Sequence, residues 1–311
     1  MAMNLGRAYC DQIKDALSPY KAREIYTDED DAYFGRELTF LCENKDCRAT
    51  LTPVGIYMPR KSKRALHFRA KNGHKTECGF LQHGTSSGKI RRPAENEDDY
   101  KPTYFPTELD LNPRKRKSVS IGTPSIITTS VGVPSIENGT SSSGNEKRQT
   151  STRTRYLDLV VDCFLSGDED SKSGKFTIAG KTKAFSRFFK KIQYFGDETG
   201  LIYYGTIDKL NLYKKDYGIG IRFATPVREG KKTYRIWVNI PQACIDESRR
   251  KKAFLVEMDE LKKAVGAGEE VDAFFVGAYP IKVLIERDGS SFESYSADLK
   301  SVDHLSLVFS R

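Results

Sequence analysis

An alternation of apolar and polar side chains is the strongest pattern in the C-terminal half of the chain. Residues 217–223 and 233–240 both alternate with a period of two, as strands with one buried face do. Between the later strands, apolar side chains at 254, 258, 261 and 265 predict a helix that Gly266 ends. The predicted strands are 201–213, 217–223, 233–240, 271–279, 281–285, 291–300 and 302–309. Strands, a helix and further strands predict an α+β protein with a β-rich, OB-like C-terminal domain.

Helical spacing predicts flanking helices outside this strand region. Residues 4–17 are expected to form a short helix that Pro19 stops, and residues 156–164 a second one. In 183–195, the apolar residues Phe185, Phe188 and Ile192 share one helical face, which predicts a third helix.

The composition changes in the middle of the chain, where Ser, Thr, Gly, Pro and charged residues replace the apolar pattern. Such a segment buries too little apolar surface to offset its ordering entropy. We therefore expect an N-terminal helix and zinc-ribbon domain over 1–83, a flexible linker over 84–153, and the OB-like domain over 154–311. Within the linker, Tyr104 and Leu111 bound an apolar segment, 104–111, that can dock on a domain or on a protein partner.

Two pairs of metal-binding residue types lie between positions 42 and 78. Cys42 and Cys47 enclose a polar turn, and His74 and Cys78 follow the turn signal Asn72-Gly73. Zinc prefers four tetrahedral nitrogen and sulfur ligands supplied as two closely spaced pairs, and it folds segments that are too short for a core. The spacing predicts a structural Zn²⁺ site, with His67 as the alternative histidine ligand. The competing interpretation is that these are three unrelated free cysteine thiols. A catalytic zinc site is less favoured, because the sequence contains no HExxH-type motif.

The chain as a whole is basic, with a formal charge of +9 over 311 residues and a pI near 9.1. This balance favours nucleic acid as a partner over a membrane, and no apolar run is long enough for a bilayer span. With no secretory signal and no disulfide-type cysteine pattern, we expect a cytoplasmic protein. The cations expected to contact phosphate in the zinc ribbon are Arg60, Lys61, Lys63, Arg64 and Arg69.

In the OB-like domain the second and third strands are expected to bind bases and phosphates, because that surface is the binding face of OB folds. Trp237 leaves its strand on the same side as Arg235 and Asn239, which favours base stacking over burial, although strand aromatics usually pack in a core. The candidate contacts are Lys214, Lys215, Arg222, Arg235 and Trp237.

The residues around the second ligand pair also resemble a known family. Leu66-His67-Phe68-Arg69, followed by Gly73-His74 and Cys78, resembles the zinc-finger segment of CoiA-like competence proteins, over about residues 37–82. The chain departs from that pattern in its CxxxxC spacing and in Ala70, which stands where the family has a second histidine. The resemblance implies DNA-related work in bacteria and raises the possibility of a nuclease.

Three functions follow as expectations. The first is a non-enzymatic, zinc-containing protein that binds nucleic acid, in particular single-stranded DNA, through the cationic ribbon and the stacking groove. The second is a metal-dependent nuclease using Asp288 and Asp298, although Asp288-Gly289-Ser290 has the composition of a hairpin turn. The third is a zinc-ribbon adaptor between proteins.

Overall fold

A computed structural model describes residues 6–70, 73–75, 78, 105–112, 153–166, 172–212, 218–287 and 290–310. The N-terminal part is a five-stranded antiparallel sheet, in the order β2-β1-β3-β4-β5, with one helix beside it. Its elements are β1 (Ala8–Cys10), β2 (Asp15–Leu17), α1 (Pro19–Thr27), β3 (Phe40–Leu41), β4 (Thr50–Val54) and β5 (His67–Arg69).

The helix predicted over 4–17 is wrong, because the described part of that stretch forms the hairpin of β1 and β2. Pro19 begins helix α1 instead of ending one. A proline is tolerated in the first helical turn, where its missing N–H has no acceptor to lose. The Ser18 hydroxyl accepts a hydrogen bond from the Lys21 N–H, which caps the new helix.

The described residues of the C-terminal part form helices and three sheets. Its helices are α2 (Leu157–Ser166), α3 (Gln242–Asp246) and α4 (Lys251–Gly266). The strands before residue 225 are β6 (Glu108–Leu109), β7 (Arg153–Thr154), β8 (Lys175–Ile178), β9 (Lys181–Ala184), β10 (Phe189–Lys191), β11 (Ile202–Leu212) and β12 (Ile219–Phe223). Those after it are β13 (Val227–Glu229), β14 (Lys232–Tyr234), β15 (Ile236–Ile240), β16 (Val271–Phe275), β17 (Ile281–Arg287), β18 (Ser290–Asp298) and β19 (Leu305–Phe309). The α+β class is therefore confirmed.

The largest sheet has the order β17-β18-β15-β12-β11-β16-β19, and β10 also pairs with β11. Strand β11 is long enough to serve two partners. Its C-terminal half pairs with β12 and its N-terminal half with β16, and the register shifts between Ile207 and Lys209. Strands β15 and β18 run parallel, whereas the other neighbours on this path are antiparallel. Helix α4 connects β15 to β16, as the apolar spacing predicts.

The helix predicted over 183–195 is also wrong. The chain there forms the end of β9, two short 3-10 turns and β10. Phe185, Phe188 and Ile192 are nevertheless all buried. The first 3-10 turn places Phe185 and Phe188, three residues apart, on one side, and Ile192 begins the second turn. The aromatic spacing thus identified the buried residues and misidentified the element that buries them.

Residues 105–112 lie inside the predicted linker and pack against the C-terminal part. Strand β6 pairs with both β7 and β8, and Leu109 is buried. The Phe105 ring meets the Phe185 ring edge-on, with centroids 5.6 Å apart. The rest of the predicted linker before residue 153 lies outside the described residues.

The N-terminal and C-terminal parts share a buried boundary. Tyr20 and Leu66 belong to the same apolar cluster as the C-terminal core. The Lys61 ammonium and the Asp162 carboxylate form a fully buried ion pair, with Nζ and Oδ1 2.8 Å apart, and Tyr20 donates a hydrogen bond to Asp162. The Phe309 N–H donates to the Lys61 carbonyl, so β19 is bonded directly to the N-terminal chain. The two parts pack as one body. None of the helices in the described ranges is long and apolar enough to cross a membrane.

Candidate metal centre and binding face

Three cysteines and one histidine converge beside the end of β3. The ligand atoms of Cys42, Cys47, His74 and Cys78 all lie within 4.8 Å of one another. The Cys42 and Cys78 sulfurs are 3.7 Å apart, and His74 Nδ1 lies 3.6 Å from the Cys47 sulfur. Two sulfurs bound tetrahedrally at about 2.3 Å from one zinc would be about 3.8 Å apart. The four side chains can therefore hold a metal ion such as zinc.

The loop between the first two cysteines is shaped by its own backbone. The Cys42 N–H donates to the Ala49 carbonyl, and the Cys47 and Arg48 N–H groups both donate to the Asn44 carbonyl. Arg48 has a φ of 45°, in the left-handed region, which turns the chain after the second ligand. These bonds bring Cys42 and Cys47 to the same side of the turn.

The pKa values of the Cys42 and Cys47 thiols are shifted in opposite directions. Burial raises the pKa of Cys42 to about 12. Burial also opposes ionisation of Cys47, but hydrogen bonds from the backbone of Lys75 and Ala49 outweigh it and lower the pKa of that thiol to about 6. N–H donors aimed at a sulfur stabilise the thiolate, which is the form that binds metal.

His67 is not part of the cluster. Its side chain is buried in β5, and Nδ1 lies 2.9 Å from the carbonyl oxygen of Ala65. The choice between the two histidines is therefore decided for His74, whose ring faces the Cys47 and Cys78 sulfurs.

The cations predicted for the zinc ribbon divide into two groups. Arg60 forms ion pairs with Glu260 and Glu269 of the C-terminal part, and Lys61 is buried against Asp162. The prediction that Lys61 contacts nucleic acid is thus wrong, because this ammonium is out of reach of solvent. Lys63 and Arg69 are exposed and Arg64 is half-buried.

Two of the predicted contacts, Arg222 and Trp237, lie together on one sheet face. Trp237 is half-buried and Arg235 exposed, while Ile236 and Val238 point into the core. Arg222, opposite Trp237 on β12, has its guanidinium carbon 5.7 Å from the centre of the indole ring. The same guanidinium binds Asp208 through two hydrogen bonds of 2.8 and 3.0 Å. Lys214 and Lys215 lie outside the described residues.

A groove of about 710 Å³ adjoins Trp237. Its walls include Lys209, Leu212, Lys262 and Phe292, which the sequence interpretation missed. Leu212 and Phe292 are each nearly half exposed. The strand registers place Lys209 beside Arg222, Arg222 beside Trp237, and Trp237 beside Ser296 on one face. The alternation that selected Trp237 could have selected Lys209 on β11, but it gave no sign that α4 and β18 close the groove.

Of the two carboxylates proposed for a nuclease, one, Asp298, lies in the described ranges. Asp298 accepts a hydrogen bond from Asn239, and Asp288 lies outside those ranges. The cysteine–histidine cluster is the one group of three or more metal-binding side chains found in the described part of the chain.

Comparisons with known proteins add no relative. No protein-family model matches the chain, and no curated protein sequence matches it. The likeness of residues 37–82 to CoiA-like zinc fingers stays a prediction.

Proposed function

We propose that this is a zinc-containing nucleic-acid-binding protein that binds single-stranded DNA across the sheet face carrying Trp237. The observation that carries the proposal is a half-buried tryptophan on the wall of a groove, with the Arg222 guanidinium over its ring. Base stacking on such a ring tolerates many sequences, and neighbouring cations neutralise phosphates.

The strand connections support an OB-like assignment for this region. In an OB fold the first strand pairs with both the second and the fourth, a helix links the third to the fourth, and the third runs parallel to the fifth. Strand β11 pairs with β12 and β16, α4 links β15 to β16, and β15 runs parallel to β18. The face of β12 and β15 then corresponds to the OB binding surface, and Trp237 lies on it.

The charges of this face have separate roles in the proposal. Arg222 is paired with Asp208, so it holds its planar group over Trp237 without adding net charge. Arg235, Lys209 and Lys262 supply the positive charge that attracts the backbone. Zinc, bound by four protein ligands with no open position, would act as a structural metal that folds the loops around it.

A fluorescence titration tests the proposal directly, because Trp237 is the single tryptophan of the chain. Titrating single-stranded DNA at several salt concentrations should quench the indole emission, with an affinity that falls as salt rises. Duplex DNA and single-stranded RNA are run in parallel, and a Mg²⁺ lane detects cleavage. Full emission at saturating single-stranded DNA would contradict the proposal, and cleavage products would favour the nuclease instead.

A further inference from the structure

Strand β17 lies at the edge of the largest sheet, and no strand of the described residues pairs with its outer side. It is seven residues long, and its inner side pairs with β18 along its full length. Its outward N–H and C=O groups therefore form a row without a strand partner in that part of the chain. Such an edge is a template for another strand, and proteins usually shorten it, bend it or charge it.

The side chains of β17 do little to block such pairing. Its centre is the apolar run Val283-Leu284-Ile285, and it contains no proline. Leu284 is the most exposed large apolar side chain among the described residues, and Ile281 is also more than half exposed. Branched apolar side chains of this kind fit a pleated, half-buried surface. The edge therefore offers main-chain partners and apolar contact together.

The charged groups beside this edge are paired within the chain. Lys282 Nζ lies 3.0 Å from a Glu229 oxygen and 3.7 Å from a Glu293 oxygen. Lys232 also pairs with Glu293. Two lysines and two glutamates offset one another, so the repulsion expected between two basic molecules is weak on this side.

The sequence of β17 is complementary to itself when two copies run antiparallel. A closed dimer uses the same patch on both copies, which places the two-fold axis at one residue of the strand. With the axis at Leu284, Lys282 lies opposite Glu286 of the second copy. Val283 then lies opposite Ile285. With the axis at Val283 or Ile285, a charged residue lies opposite Leu284 instead.

We infer that the protein forms a two-fold symmetric dimer in which the β17 strands of two copies pair antiparallel, centred on Leu284. Full overlap of the two strands supplies about six to eight main-chain hydrogen bonds. The apolar pairs across the axis are Leu284 with Leu284, and Val283 with Ile285. The two largest sheets become one continuous sheet.

The pairing also brings the two grooves onto one surface. Directly opposed residues of an antiparallel pair project to the same face, so both Trp237 side chains lie on the same side of the joined sheet. Ile285 lines the groove, and Val283 of the second copy lies beside it. Each copy therefore extends the apolar wall of the other copy's groove. The inference does not depend on what the groove binds.

Sedimentation velocity of the full chain over a range of concentrations tests for the dimer. Wild type should shift from the mass of one chain to that of two as concentration rises. Leu284→Lys should weaken dimerisation about tenfold or more, because it places like charges directly opposite each other at the axis. Val256→Lys is the matched control, since Val256 is also an exposed apolar residue but lies on α4. Both variants should keep the wild-type melting temperature, because both side chains are exposed in the single chain.

A pair of charge variants tests the register. Glu286→Lys alone and Lys282→Glu alone each place like charges opposite each other in a homodimer, so each should dimerise more weakly than wild type. Mixed in equal amounts, the two variants place lysine opposite glutamate at both positions. The mixture should therefore form a heterodimer at concentrations where each variant alone is a monomer.

The inference is overturned if wild type keeps the mass of one chain at every concentration, or if Leu284→Lys dimerises as tightly as Val256→Lys. It is also overturned if the mixed charge variants do not associate. A single-chain mass with β17 amides protected from hydrogen exchange would assign the edge to another segment of the same chain, which overturns it as well. Trp237→Ala should dimerise like wild type, so a failure of single-strand binding is distinguished from a failure of dimerisation.

Discussion

At the scale of single residues, the choice of His74 over His67 has a measurable consequence. We expect one zinc per chain by elemental analysis of purified protein, and His74→Ala should lower that value because it removes one of four ligands. His67→Ala is the matched control and should retain a full equivalent, since its ring lies against Ala65. Full zinc occupancy in a Cys42→Ser/Cys47→Ser variant would contradict the assignment.

Trp237 lies in strand β15 and Arg235 immediately precedes that strand, and substitutions of the two residues should have different effects. Trp237→Ala is expected to weaken single-strand binding by about 1–3 kcal/mol with little change in salt slope, because stacking releases few counterions. Arg235→Ala should lower the slope by about one phosphate contact.

The melting temperature of Trp237→Ala separates stacking from core packing. Trp237 is half-buried, so its removal should leave the fold intact. A large drop in melting temperature, with binding lost only through unfolding, would instead assign the indole to the core.

At the scale of elements, the buried ion pair between Lys61 and Asp162 joins the two parts of the chain. Lys61→Met should destabilise the protein by about 3–5 kcal/mol in urea unfolding, because it leaves a carboxylate buried without its cation. Adding Asp162→Leu should recover part of that loss, since the carboxylate left without its cation is then removed. A double variant no more stable than Lys61→Met would show that the pair does not account for the effect.

The turn into β12 depends on a glycine. Gly218 has a φ of +81°, and a Cβ atom there would lie 2.0 Å from the Ile240 carbonyl oxygen. We expect Gly218→Ala to cost more than about 2 kcal/mol of folding free energy, because backbone strain and a backbone clash add together. Gly230→Ala is the control in urea unfolding: its φ is also positive, at +58°, but the space around it is open. Equal losses in the two variants would mean that the close approach to Ile240 contributes nothing.

At the scale of the whole molecule, the two parts should stay together after the chain is cut between them. The composition of 84–153 predicts that protease cuts there, outside the described residues. The buried pair at Lys61, the Phe309–Lys61 backbone bond and the ion pairs of Arg60 should then hold the fragments in one species. Size-exclusion chromatography of the nicked protein measures this. Separate elution of an N-terminal fragment would contradict the shared core.

Several features of this protein follow from local sequence alone. The alternation over 217–223 and 233–240 determined strands β12 and β15 and the outward direction of Trp237, because strand geometry sends successive side chains to opposite faces. The cysteine pairs indicated the metal cluster, because closely spaced ligands remain close in any compact turn. Helix α4 was visible because its apolar spacing persists over four turns.

Tertiary structure decided the features that depend on distant partners. Spacing cannot choose between His67 and His74, because the candidate ligand is the ring that the fold turns toward Cys47. Lys61 looks like a surface cation until Asp162, about a hundred residues later in the chain, packs against it. A cavity lined by Arg155 and Arg250 is formed by five separate stretches of the chain, so the sequence of any one stretch does not predict it. Contacts of this kind are set by how the two parts pack, and local periodicity contains no information about that packing.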